Sequence, residues 1–198
     1  MTPGIILSAG SSSRFAPQHK LLQLYQHHTI LYHGLKAAID SRLNPVFLVL
    51  GHRHLEMIAS LEDLQHHSKL KLVINKDWAS GRASTLRLGI KQLPKCENVL
   101  VYPGDMPRMD SELINDLIGS FISGEACFPV YNQRKGHPVI FPKEWFSDLM
   151  ALQGEQSALE LIKTHWETAV KLERIDVETQ LNINTPEDYA ELIKPEES

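Results

Sequence analysis

Through the first two thirds of the chain, short apolar runs alternate with stretches in which apolar residues recur every three or four positions. The runs Gly4 to Ser8, Val46 to Leu50, Leu70 to Ile74 and Asn98 to Tyr102 read as strands. Thr29 is placed to cap a helix whose Ile30, Leu31, Leu35, Ala38 and Ile39 share one face. A second helix is expected over His54 to Leu61. A third starts at Ser84, carries Leu86, Leu88, Ile90 and Leu93, and is ended by Pro94. Ser111 to Ile122 repeats the pattern with Leu113, Ile114, Leu117, Ile118 and Phe121. This is the βαβ rhythm of a mostly parallel sheet with helices on its faces.

After that helix the pattern changes. Ala126 to Tyr131 and Pro138 to Phe141 read as strands around a polar turn, Asn132 to Gly136, a β-excursion rather than another βαβ unit. Helices are expected at Lys143 to Leu152 and Gln156 to Thr164, strands near Ala169 to Ile175 and Leu181 to Ile183, and a last helix opening at Pro186. No internal repeat or long linker interrupts the pattern, so residues 1–198 are expected to form one α/β domain, doubly wound and mostly parallel.

Composition narrows the partners. With 198 residues, a net charge of −4 and a pI near 6.2, the chain can bury a core but offers no basic footprint for nucleic acid or an anionic membrane. Any bound anion must be gripped by a local site. Cys96 and Cys127 stand far apart and form neither a disulfide framework nor a zinc motif, and the histidines make no H-E-x-x-H or His/Cys cluster. The apolar run Ile5 to Leu7 is far short of a signal peptide or a spanning segment, so the expected location is cytoplasmic.

In an open parallel sheet, ligands sit beyond the carboxyl ends of the strands, and four polar groups fall there. The first is Leu7-Ser8-Ala9-Gly10-Ser11-Ser12-Ser13-Arg14 with Lys20: small residues let amides and hydroxyls face phosphate oxygens, and the two cations add fixed positive charge. The second is Pro103-Gly104-Asp105, whose carboxylate suits a hard dication such as Mg²⁺. The third is Asn182 and Asn184, two residues apart and so expected on one side of a short strand, beside a helix start spelled by Thr185, Pro186 and Asp188. The fourth is Asn75 to Ser84, including Gly81, which leads into a helix N-terminus. For each group a purely structural reading stands beside the functional one: a polar turn, an Asp-stabilised turn, a capped helix.

Taken in order, Leu7 to Arg14 with Lys20, Gly104-Asp105-Met106-Pro107, Gly136-His137-Pro138 and Asn184-Thr185-Pro186-Glu187-Asp188-Tyr189 resemble the nucleotidyltransferases of molybdenum cofactor maturation, the cytidylyltransferases most of all. The resemblance covers essentially the whole chain, including Asn75-Lys76-Asp77-Trp78 and Gly81. It implies a Rossmann-like nucleotidyltransferase fold. It also implies transfer of a nucleoside monophosphate, CMP from CTP, to the terminal phosphate of molybdopterin or molybdenum cofactor, with release of pyrophosphate and possible delivery to a recipient molybdoenzyme. By position, Arg14 and Lys20 match triphosphate-binding cations in the catalytic set with Asp105. Asp105 and Asn184 match the sites that hold Mg²⁺ or Mn²⁺. Leu7 to Arg14, Asn75, Gly81, Ser84, Pro103 and Gly104 match the nucleotide-binding surface. Gly136, His137, Pro138, Gln156 and Ser157 match the acceptor side. Ala9 follows the cytidylyl pattern, whereas Asn184 stands where those enzymes carry Asp and their guanylyl relatives carry Asn. Phe15-Ala16-Pro17-Gln18-His19 replaces a shorter loop that contains glycine. Two other readings stay open: guanylyl or other nucleotidyl transfer to a different phosphate, and a cofactor-holding chaperone without transfer activity.

Overall fold

The computed structural model describes residues 1–176 and 178–194. In chain order the strands are β1 (Gly4–Ser8), β2 (Leu24–Tyr25), β3 (His28–Thr29), β4 (Val46–Leu50), β5 (Leu70–Ile74), β6 (Asn98–Pro103), β7 (Cys127–Tyr131), β8 (Arg134–Lys135), β9 (Val139–Pro142) and β10 (Val170–Glu173). The helices are α1 (Ile30–Asp40), α2 (His54–Ala59), α3 (Arg82–Lys91), α4 (Ser111–Ser120), α5 (Phe146–Ala151), α6 (Leu159–Thr164) and α7 (Pro186–Leu192).

The main sheet has the order β10-β7-β9-β6-β1-β4-β5, with β8 paired to β7. β6, β1, β4 and β5 run parallel, β9 runs antiparallel to both β6 and β7, and β10 is parallel to β7. The fold is therefore the expected doubly wound, mostly parallel α/β arrangement with a β-excursion. The chain moves outward from β1 through β4 to β5, then crosses back to place β6 on the other side of β1. That reversal opens a crevice between the carboxyl ends of β1 and β6, where Leu7 pairs with Pro103.

Alternation along the strands feeds two cores, one on each face of the sheet. Ile6, Leu48, Leu50, Leu100 and Tyr102 pack with α1, α2 and α4 through Leu31, Leu35, Met57, Leu113 and Leu117. Ile5, Phe47, Val49, Val99 and Val101 pack on the other face with Leu86, Ile90, Trp145, Leu149 and Ile162 of the remaining layer. Thr29 caps α1, its hydroxyl accepting from the Tyr32 amide at 3.2 Å.

Several boundaries differ from the sequence reading: α2 and α4 end two residues early, α5 is shortened to Phe146–Ala151 behind a 3-10 turn over Lys143–Trp145, β7 and β9 start one residue late, and four further differences bear on the site. The expected strand Leu181 to Ile183 does not form: the Ile183 amide donates to the Asp105 carbonyl at 3.0 Å, so the segment docks on a loop rather than a sheet edge. α3 starts at Arg82, because Ser84 lies inside the first turn and its hydroxyl bonds back to the Gly81 carbonyl at 2.8 Å. α6 starts at Leu159, after a loop over residues 152–158. β10 ends at Glu173, and Ile175 is exposed. The hairpin of β2 and β3 escapes periodicity because each strand is two residues long.

Candidate functional site

The loop after β1 is organised by where its carbonyls go. Those of Ala9, Gly10, Ser12 and Ser13 each accept a hydrogen bond from the protein: from the His52 amide at 3.1 Å, the His19 ring at 2.9 Å, the Phe15 amide at 2.7 Å and the Ala16 amide at 3.3 Å. Among the described residues, the amides of Gly10, Ser11, Ser12 and Ser13 have no such partner. With its acceptors turned inward and its donors unspent, the loop presents a concavity suited to an anion. Ser12 adopts a left-handed conformation, φ 54°, that reverses the chain there.

His19 is the clamp of this loop, and the sequence reading missed it. It is buried; one ring nitrogen faces the Gly10 carbonyl, and the other accepts from the Leu21 amide at 3.3 Å. Those two bonds define a neutral ring with its proton on Nε2. Burial lowers its pKa below the ordinary 6.5, and the cationic neighbourhood of His52, Arg53 and Lys20 adds to the shift. Its ring stacks on that of His52, which meets Trp78 edge-on at 5.0 Å. Gly51 makes this packing possible, since a Cβ there would lie 2.6 Å from the Ala9 carbonyl oxygen and 2.7 Å from the Trp78 Cβ. No local signal marks a loop-clamping histidine, because the carbonyl it holds lies nine residues back and the ring it stacks on lies beyond β4.

At the crevice, Lys20 forms an ion pair with Asp105 Oδ2 and also reaches Asn184 Oδ1 at 3.4 Å. The other carboxylate oxygen of Asp105 is buried without a hydrogen-bond partner. Gly104 closes the approach between β1 and β6: its amide donates to the Leu7 carbonyl at 3.0 Å, and a Cβ would collide with the Ser8 hydroxyl. Asn184 is held from behind by a capping box, in which Asp188 accepts from the Asn184 and Thr185 amides at 2.8 Å each. These amide bonds lower the Asp188 pKa. Lys20 of the first group, Asp105 of the second and Asn184 of the third thus meet. Arg14 is exposed in the 3-10 turn of the same loop, with no hydrogen bond among the described residues.

Asn182 does not share a side with Asn184, because the strand that would have aligned them is absent. It lines a cavity of about 460 Å³ with Arg108, Glu178, Gln180 and Leu192, and its side-chain oxygen is buried and unpartnered. Asn75 and Ser84 are buried and bonded to each other at 2.9 Å, with Asn75 also reaching Thr85 at 3.1 Å. They brace the start of α3. Gly81, at φ 107°, abuts the Gly154 carbonyl, which accepts from the Ala83 amide at 3.1 Å. Gln156 and Ser157 are exposed on that same loop.

Gly136, His137 and Pro138 lie just before β9, whose Val139 pairs with Val101 of β6, so they stand on the crevice rim. Gln180 holds them: its oxygen accepts from the His137 amide and its nitrogen donates to the His137 carbonyl, both at 2.6 Å. A Cβ on Gly136 would collide with that side chain. Burial presses the His137 pKa to about 3, with Lys135 adding to the effect, and leaves the ring neutral with an unpartnered Nδ1. Burial also lowers Lys135 to about 8.

Residues 4–170 match the model of the MobA-like NTP transferase domain. The chain belongs to this family. Among curated proteins, it is 25% identical over 192 residues to the purine catabolism protein PucB of Bacillus subtilis, covering 94% of this chain and 93% of that one. It is 24% identical over 144 residues to the nicotine blue oxidoreductase of Paenarthrobacter nicotinovorans, covering 69% of each. Its fold matches the crystal structure of Rv0371c from Mycobacterium tuberculosis with a TM-score of 0.84 at 22% identity, over 98% of both chains. That protein has also been solved as a complex with manganese, which this chain matches with a TM-score of 0.80 at 21% identity, over 97% of both chains. In MobA-like terms the chain is of nucleotidyltransferase type.

Proposed function

We propose that this MobA-like protein transfers a nucleoside monophosphate, by preference CMP from CTP, to the terminal phosphate of molybdopterin or molybdenum cofactor, releasing pyrophosphate, and that it acts in the cytoplasm as one domain. The observation that carries the reading is the loop after β1, with its carbonyls consumed and its amides free, opening onto the Lys20, Asp105 and Asn184 cluster. In-line displacement at phosphorus asks for positioning and charge neutralisation more than covalent chemistry. The amides of Gly10 to Ser13 would orient the leaving phosphates, while Arg14 and Lys20 oppose their charge. Asp105 and Asn184 would hold Mg²⁺ or Mn²⁺, a fit supported by the buried, unpartnered Oδ1 of Asp105. Such an ion supplies Lewis-acid polarisation of phosphate oxygens when bound. Gly136, His137 and Pro138, held by Gln180, would line the acceptor side, with a neutral His137 able to give or accept one hydrogen bond.

Ala9 supports the cytidine preference, standing with Gly51 and Trp78 where the nucleoside would meet the loop. Asn75 and Ser84 would act by shaping that surface, since their polar groups are already committed. The test is pyrophosphate release with CTP, GTP, ATP and UTP in turn, with Mg²⁺ and molybdopterin, beside thermal shifts with the same nucleotides. CTP is expected to give the fastest release and the largest shift. Stabilisation by none of the four in the presence of metal overturns the proposal.

A further inference from the structure

The ammonium of Lys20 sits between the two side chains proposed to hold a divalent ion. It pairs with Asp105 Oδ2 and reaches Asn184 Oδ1 at 3.4 Å, and the carboxylate of Asp188, committed to two backbone amides, adds to the negative field around it. A cation of one kind thus occupies the oxygen cradle proposed for a cation of another. Two positive groups cannot share one carboxylate at hydrogen-bond distance without strong repulsion, and in this partly buried crevice that repulsion is only weakly screened.

Resting on the nucleotidyl-transfer reading, we infer that Lys20 is a built-in placeholder that keeps free divalent metal out of the Asp105–Asn184 cradle until a triphosphate draws the ammonium away. The alternative partner is close by. Lys20 directly follows His19, the clamp of the anion-binding loop, so a triphosphate on the amides of Gly10 to Ser13 lies within the sweep of a long, flexible lysine side chain. Moving the ammonium from the carboxylate to the phosphates exposes Asp105 at the moment a metal is needed. The consequence is an order of binding: nucleotide, or its metal complex, is admitted first, and metal alone is held weakly. Lys20 then acts twice, with opposite effects on the two ligands.

The test measures Mn²⁺ binding by electron paramagnetic resonance, without nucleotide, in the wild-type protein, in Lys20→Met and in Lys20→Met with Asp105→Asn. Removing the ammonium is expected to tighten Mn²⁺ binding by about tenfold while CTP binding weakens, and adding Asp105→Asn is expected to abolish the gain. Unchanged or weaker Mn²⁺ binding in folded Lys20→Met overturns the placeholder. A second measurement needs no variant: the Lys20 side-chain carbon signals of the wild-type protein should move when Mg²⁺ is brought to saturation, and an unmoved Lys20 in the metal-saturated protein also overturns it. If neither protein binds Mn²⁺ even with CTP present, the nucleotidyl-transfer reading fails as well, a result distinct from the other two.

Discussion

The two banks of the crevice are built by different means. On the β1 side, most ties run from main chain to main chain, Ala9 to His52, Leu7 to Gly104 and Leu50 to Asn75, with glycines where backbones must touch and the His19 ring as a side-chain clamp on Gly10. On the β9 side, the Gly136-His137-Pro138 turn is bracketed by a side chain, that of Gln180, which in turn contacts the Tyr131 hydroxyl at 3.2 Å. Backbone amides suit phosphates, which every nucleoside triphosphate shares, and their placement tolerates wide sequence change. Side chains suit an acceptor whose shape differs from enzyme to enzyme.

The contrast can be broken in three places. The largest effect is expected at the junction of the banks: Asp105→Ala should cost about 10²–10³-fold in metal-dependent pyrophosphate release with an intact circular-dichroism spectrum, and full turnover in the variant would remove Asp105 from the chemistry. Next come two glycines of the first bank. Gly51→Ala drives a methyl into the Ala9 carbonyl and is expected to destabilise the fold by about 2–4 kcal/mol in urea unfolding. Gly10→Ala, with nothing within 4 Å of the added Cβ, should leave stability unchanged and weaken triphosphate binding alone. Equal stability losses at the two positions would mean that the amide loop is not open to ligand.

The effect of the second bank is the smallest at neutral pH and develops only on acidification. Folding presses His137 from 6.5 to about 3, so between those values the unfolded chain takes up a proton that the folded chain refuses. Stability should therefore fall as pH is lowered from 6.5 toward about 3. His19, also lowered by burial, contributes a slope of the same sign just below 6.5. His137→Gln is expected to flatten the urea-midpoint profile over the lower part of that window, and an identical profile would show that the ring is solvated.

The parallel half is legible because its strands are largely apolar runs ended by Ser8, Leu50, Ile74 and Pro103, and the loops that follow such ends gather at the crevice. That logic reaches Lys20 and Asp105; Asn184 arrives there although the strand expected to carry it does not form. What escaped depends on contacts distant in sequence. His19 looks like any polar-loop histidine until the Gly10 carbonyl is placed over it. Gln180 carries no signal of its own partners, and Asn182 was aligned with Asn184 by a strand rule that fails once Ile183 spends its amide on Asp105 rather than on a sheet. Local pattern reads the frame, and tertiary bonding decides which side chains brace it.

Gln180, the last residue of a one-turn 3-10 helix, and Asn184 stand four positions apart, the first bonded to His137 and the second to Lys20. Such a chain spans at most about 14 Å. The segment therefore caps the separation of the His137 turn from the Lys20–Asp105 pair, and a residue inserted within it would relax that cap.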